Sequence, residues 1–220
     1  MQQKQYTFIL LFLMFFATSQ MRAQSFLGAI AVGGNLTQVD GDEMYGFKKF
    51  GFNVGASSIY PFNEKWSISV EASYSQKGSY EKYPPEDRPD KSLPYYDLRL
   101  SYLEVPVFVY FTDKGFLTIG AGFSWGRLVG IKEIEWGETV HSSVTNSPYD
   151  RNDWNAIVNI RIPIWKRLKI DFRYAYSLAK IRTREFQNIS GDTWSRDQYN
   201  NIITLRLLYV FNEKIKKDEN

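Results

Sequence analysis

The feature that most constrains this chain is a two-residue alternation of apolar and polar side chains, recurring behind a short apolar N-terminal segment. In Trp66 to Ser75 (WSISVEASYS), Trp66, Ile68, Val70, Ala72 and Tyr74 share one side, and Ser67, Ser69, Glu71, Ser73 and Ser75 the other. Trp154 to Ile164, Leu168 to Leu178 and Ile203 to Phe211 repeat the pattern. A period of two is that of a β-strand whose faces meet different surroundings, and no segment after residue 24 has the 3.6-residue period of an amphipathic helix. Weaker strands run through Phe26 to Leu36, Phe50 to Tyr60 and Phe116 to Gly126. In Leu98 to Phe111 the apolar set passes from Leu98, Leu100 and Tyr102 to Leu103, Val105, Val107, Val109 and Phe111. A β-bulge beside Pro106 is the expected cause of that one-residue slip.

These segments make eight strands, and the links between them alternate in length. Short turns lie at 61–65, 112–115 and 165–167; long polar links span 37–49, 81–97, 127–153 and 179–199. An even strand count with short turns at one end and long loops at the other predicts an all-β fold. It is an eight-stranded antiparallel up-and-down transmembrane β-barrel with short periplasmic turns and long extracellular loops. Alternation alone leaves open a soluble periplasmic barrel that binds an apolar ligand inside.

Three observations favour lipid on the apolar face. Aromatics form 17% of the chain and gather where strands meet the short turns, at Tyr60, Trp66, Phe111, Phe116, Trp165, Tyr209 and Phe211. Amphipathic rings collect in this way at a membrane interface. The opposite face carries charges of both signs: Glu71, Glu104 and Asp171 against Arg99, Arg161, Lys169, Arg173 and Arg206. Such a mixture suits a narrow lumen in which charges pair, and eight strands leave room for side chains but not for a wide pore. The third observation is the N-terminus. Residues 1–23 hold a polar start, the apolar run Tyr6 to Ala17 and a polar stretch ending at Ala23, the layout of a cleaved signal peptide. That run is shorter than the roughly 20 residues a membrane helix needs. Cleavage removes Lys4 and Arg22, so the formal charge falls from +3 to +1. The barrel is expected over 24–211 and a polar periplasmic tail over 212–220.

With the strands placed, the chain resembles the PorT-like small outer-membrane β-barrel proteins of Bacteroidota. The resemblance rests on Gly33–Asn35 (GGN), Gly51–Ala56 (GFNVGA), Tyr74–Tyr80 (YSQKGSY), Ser101–Val107 (SYLEVPV) and Gly120–Leu128 (GAGFSWGRL). The last strand, Ile203–Phe211, looks like the aromatic-ended signal read by barrel-assembly machinery, although a polar NEKIKKDEN follows it. The resemblance implies the outer membrane of a Gram-negative bacterium and, for some relatives, a link to secretion or gliding machinery.

Residues able to do chemistry are scarce. Zero cysteines and a single histidine exclude a disulfide scaffold and thiol catalysis, and +3 is too weak a charge for a nucleic-acid groove. A mean hydropathy of −0.36 excludes a helical membrane bundle but not a barrel. His141 beside Ser142 and Ser143, with Asp150 downstream, is the minimum for a lipid-modifying acyl transfer, but no GxSxG elbow accompanies it. Asp40, Asp42 and Glu43, and Glu86, Asp87 and Asp90, lack the spacing of a calcium loop. Lys180, Arg182 and Arg184 alternate where a strand leaves the membrane and are placed to meet lipopolysaccharide phosphates. Loop aromatics Tyr83, Tyr95, Tyr96, Trp136, Tyr149 and Trp194 offer a contact surface for a protein or glycan. The expectation is a non-enzymatic protein without cofactor that acts through its loops, with outer-membrane lipid, the assembly machinery and a loop-bound partner as its contacts.

Overall fold

Eight long strands close on themselves. In the computed structural model, which describes residues 26–83, 94–188 and 190–213, they are β1 (Leu27–Asp40), β2 (Lys49–Pro61), β3 (Trp66–Glu81), β4 (Tyr96–Asp113), β5 (Leu117–Glu135), β7 (Asn152–Trp165), β8 (Leu168–Ser177) and β10 (Thr193–Val210). Each pairs antiparallel with the next, and β1 pairs back onto β10 from Ala29↔Val210 to Asp40↔Tyr199, so no edge is left open. Closure of this kind is what a sheet needs in lipid, where an unpaired backbone group has no water to turn to. The expected export segment 1–23 and most of the tail 212–220 lie outside the described residues.

Two of the expected long links are partly strand. β5 continues to Glu135 and folds back as β6 (Glu138–Val140), while β9 (Arg182–Gln187) pairs with the start of β10. The hairpins satisfy backbone groups that irregular loops would leave to solvent.

The apolar face points outward. Ile30, Val32, Val54, Val70, Leu103, Val107, Phe123, Val158, Leu205 and Leu207 are each at least 40% exposed, whereas Glu71, Asp153, Asn159, Asp171 and Arg206 are buried at 2% or less. A soluble barrel with an apolar cavity is thereby corrected: its faces would be reversed. The outward apolar run extends from Trp66 to Tyr74 in β3, from Leu103 to Phe111 in β4, and from Ile203 in β10 to Phe211, one residue past its end. Each matches the roughly 9–11 residues that a tilted strand needs to cross a bilayer. At the short-turn end Trp66 meets Phe111 and Tyr209 meets Phe211, with ring centroids 5.1 and 5.2 Å apart. Tyr60 meets Phe26, and Phe116 and Trp165 are 67% and 68% exposed at the same rim. A second set, Phe50, Phe52, Tyr74, Trp125 and Trp154, stands at the far end of the apolar runs. It marks the other boundary of the band.

β4 does not slip phase as expected. Every even residue from Tyr96 to Tyr110 is buried, and the register shift instead leaves Val129 of β5 in excess between Ser101↔Gly130 and Tyr102↔Leu128. The apolar residues change face because the surroundings change. Beyond the lipid band, Leu98, Leu100 and Tyr102 fill the interior; within it, Leu103, Val105, Val107 and Val109 meet lipid on the outside. Two glycines keep space for the contents of the barrel. A Cβ at Gly55 would stand 2.7 Å from Oε1 of Glu71, and one at Gly120 would stand 2.3 Å from the Tyr110 ring.

Candidate functional site

The inward faces of β2, β3, β7, β8 and β10 carry a buried charge cluster. Asp171 touches three guanidiniums: Oδ2 accepts from Arg161 Nε at 2.9 Å, and Oδ1 lies 3.1 Å from Arg173 Nε and from Arg206 Nη2. Glu71 takes Arg173 Nη2 on Oε2 at 2.6 Å and Arg206 Nη1 on Oε1 at 2.7 Å. Arg206, which β10 carries directly opposite Gly33, also donates to Asn53 Oδ1 at 2.9 Å. The spare positive charge is met by rings. The Arg161 guanidinium lies 4.0 Å from the Tyr110 centroid and Arg173 4.6 Å from that of Phe108.

A second cluster surrounds Lys77. Its Nζ lies 2.6 Å from Glu104 Oε1 and 2.8 Å from Asp153 Oδ2, and 5.0 Å from the Tyr102 ring. Ser177 Oγ and Asn200 Nδ2 donate to the remaining positions on Asp153 at 2.7 and 2.9 Å. The two clusters balance, since Arg161, Arg173, Arg206 and Lys77 face Glu71, Asp171, Glu104 and Asp153. Paired in this way, the charges cross the lumen and brace opposite walls.

Of the lumen residues expected from sequence, Glu71, Asp171, Arg161, Arg173 and Arg206 come together, while Glu104 pairs with the unforeseen Lys77. Lys169 sits at the short-turn mouth, where its Nζ meets Glu213 Oε1 at 2.6 Å. That mouth holds a cavity of about 200 Å³ lined in part by Arg161, Lys169 and Glu213. Arg99 is corrected: it stands on the outward face of β4 opposite Lys132, because Leu98 and Leu100 take the inward positions.

Above the charges, Val39, Tyr96, Leu98, Leu100, Tyr102, Leu128, Tyr149 and Ile181 form an apolar plug at the long-loop end. Tyr96 and Tyr149 therefore belong to this plug and not to a loop contact surface. Burial pushes the Tyr149 phenol well up, so it keeps its proton and donates to Glu133 Oε1 at 2.8 Å. Arg182 donates to the same oxygen at 3.0 Å, and Arg184 Nη1 lies 3.1 Å from Glu135 Oε1. Lys180 pairs with Asp197 at 3.1 Å. The expectation that Lys180, Arg182 and Arg184 offer themselves to lipid phosphates is thus corrected, since carboxylates already occupy all three.

Two aromatic groups sit on the loops, in which Trp136 and Trp194 are exposed and Tyr83, Tyr95 and Phe186 half-buried. Tyr95 meets Tyr83 at 5.4 Å and Trp136 at 4.6 Å, and Phe186 stacks on Trp194 at 5.9 Å. His141 is exposed, and among the described residues no hydrogen bond joins it to Ser142 or Ser143. Instead Ser142 N donates to Val140 O, Ser143 Oγ accepts from Asn146 N, and Asp150 caps Asn152 N. No group of three His, Asp or Glu side chains is arranged to hold a metal among the described residues. Asp40 accepts from Gln38 Nε2, and Glu43 Oε1 accepts from Trp194 Nε1; Glu86, Asp87 and Asp90 lie outside the described residues.

Asp42 pins the first long loop against the plug. Burial raises its pKa to about 6, and the Ser79 hydroxyl, the Met44 amide and Arg184 offset this only in part. A carboxyl with a raised folded pKa binds its proton more readily when docked. Docking is therefore strongest below its ordinary value and weakens as pH rises through about 6. The protection factor of the Met44 amide, which donates to Asp42 Oδ1, is expected to rise as pH falls from about 7 to about 5. Asp42→Asn should flatten that dependence.

The fold and its contents can be set beside known proteins. Solved barrels of similar shape include Ail, the attachment invasion locus protein of Yersinia pestis, at 17% identity. That match covers 84% of this chain and 98% of Ail with a TM-score of 0.49. Neisserial surface protein A shows 12% identity over 84% of this chain and 95% of its own, with a TM-score of 0.44. OprG from Pseudomonas aeruginosa shows 10% identity over the same shares, with a TM-score of 0.36. No curated protein matches the sequence. The sequence model for the outer membrane protein beta-barrel domain matches residues 18–182, most of the chain. The chain belongs to that family and is an outer-membrane β-barrel protein.

Proposed function

We propose that this protein is a closed, non-enzymatic barrel that serves as an anchor, with its extracellular loops as the working surface. The observation that carries the reading is the filled interior: balanced ion pairs span the lumen, and an apolar plug closes its long-loop end. A path for solutes would need those charges unpaired and hydrated. The cluster of exposed Trp136 with half-buried Tyr95 and Tyr83 supplies rigid aromatic contact area suited to a protein or glycan. Membership of a secretion or surface assembly, implied by the PorT-like resemblance, is the role we assign to that surface.

The absence of native cysteine makes the test clean. A membrane-impermeant maleimide added to intact cells should label Tyr45→Cys, 79% exposed in the first long loop, and leave Lys114→Cys in a short turn untouched. A photo-crosslinker placed at Tyr45→Cys should give one discrete adduct, lost when Tyr83, Tyr95 and Trp136 are all changed to Ala. Reversed labelling, or an adduct that survives the triple change, contradicts the reading.

A further inference from the structure

The outer wall carries a feature that the anchor role does not use. Across β1 to β5, a groove of about 760 Å³ opens on the lipid-facing surface. Its floor is the cross-strand pair Ala56↔Ala72, its sides are Val32 and Val105, and Tyr74 and Trp125 stand at its upper end. Two causes make the depression. Alanine methyls replace bulky side chains at the centre, and the β3–β4 ladder is interrupted between Val70↔Val107 and Ser73↔Glu104. Pro106 lies within that interruption and has no N–H to donate.

Cations stand above the groove. Arg127 lines its upper rim, directly opposite Leu103, and Arg99 faces Lys132 across the same two strands. Four residues separate Leu103 from Arg99, so the cations extend over about 13 Å along the strand. No carboxylate pairs with Arg99, Arg127 or Lys132 among the described residues; Arg127 donates only to Asn152 Oδ1 at 3.0 Å. Asp97, the carboxylate nearest to Arg99 in β4, is taken by Lys49. Lys48, two residues past Phe50 on the same wall, is paired with Glu81, which leaves Arg99, Arg127 and Lys132 as the outward cations there without a carboxylate among the described residues. The cations of the loop hairpin, by contrast, are neutralised.

We propose that this wall binds a phosphorylated lipid of the outer leaflet, the lipid A part of lipopolysaccharide. One acyl chain lies in the Ala56–Ala72 groove, and the two phosphates of its disaccharide are held by Arg127 and by the Arg99–Lys132 pair. The long separation between the cation positions suits two phosphates on one headgroup. A second copy of this chain is disfavoured as occupant, because a self-contact through this wall brings the same unpaired cations together. The inference rests on the long loops facing the cell exterior.

The test uses the full-length protein folded in phosphatidylcholine nanodiscs containing bisphosphorylated lipid A, with bound lipid counted by native mass spectrometry. Wild type is expected to retain one lipid A. Arg99→Gln/Arg127→Gln/Lys132→Gln should lower its occupancy at least about tenfold. Ala56→Leu/Ala72→Leu, which fills the groove and leaves every charge in place, should lower it as well. Heat-modifiable gel mobility of each variant shows that the barrel is intact, so lost lipid reports the site and not the fold. Undiminished lipid A on the triple variant overturns the proposal, as does equal retention of phosphatidylglycerol or a dimer that replaces bound lipid. Maleimide labelling of intact cells at Lys114→Cys but not at Tyr45→Cys would instead overturn the orientation on which it rests.

Discussion

Asp171→Asn is expected to destabilise the folded barrel by about 3–5 kcal/mol, the scale for removing one partner from a buried ion pair. The size follows from charge counting. Asp171 is fully buried and contacts Arg161, Arg173 and Arg206. Neutralising it leaves the three guanidiniums of this cluster with one carboxylate, Glu71, which only Arg173 and Arg206 contact, and the new amide presents donors to donors. Arg206→Met should cost distinctly less, although Arg206 makes more hydrogen bonds, because within this cluster two guanidiniums then face two carboxylates. Reversible urea unfolding in phospholipid vesicles measures both. Equal costs, or a larger one for Arg206→Met, would show that hydrogen bonds and not charge balance govern the lumen.

Val70→Arg should cost about 2–4 kcal/mol, because Val70 lies midway along the outward run of β3 between Trp66 and Tyr74. Val129→Arg is its counterpart. Val129 is also exposed, at 44% against 48% for Val70, but lies beyond Trp125 at the upper boundary of the band. There the same substitution should cost about 0–1 kcal/mol. Two exposed valines on a water-soluble barrel would respond alike, within about 0.5 kcal/mol. The difference between them therefore reads depth in the bilayer. A matched pair of small effects would place both in water.

Much of this arrangement was legible in the sequence because a period of two assigns a face without any knowledge of neighbours. Glu71, Asp171, Arg161, Arg173 and Arg206 each sit between outward apolar residues, and each is buried in the lumen. Pairing was not legible. Lys77 and Asp153 meet only through register and closure of the ring, and Lys77 lies where β3 has already passed the apolar run that reveals facing. Arg99 illustrates the opposite failure. Leu98, Leu100 and Tyr102 read as a lipid face, which puts Arg99 inward, but those residues build an interior plug beyond the membrane. Apolar alternation reports burial against something, and it does not distinguish lipid from a core. One member of the second aromatic set was hidden for a related reason: Trp125 lies within a long strand that runs on past the bilayer, with no turn nearby to mark the boundary.

The cations at the long-loop end show why charge alone does not identify a binding site. Arg182 and Arg184 alternate beside Lys180 and stand out in the sequence, yet each has a carboxylate partner. Arg99, Arg127 and Lys132 are scattered over two strands, and the register between β4 and β5 brings them to one wall. What distinguishes the second group is the lack of a paired acid, a property of the folded ring.

Ion pairs and the apolar plug close the lumen. Planar-bilayer recording of the purified full-length barrel in molar KCl tests this closure most directly. The structure predicts no current steps above leak for wild type and intermittent openings for Lys77→Ala/Arg206→Ala, which removes a strut from each charge cluster. A steady ohmic conductance in the wild type, scaling with salt, would contradict the account.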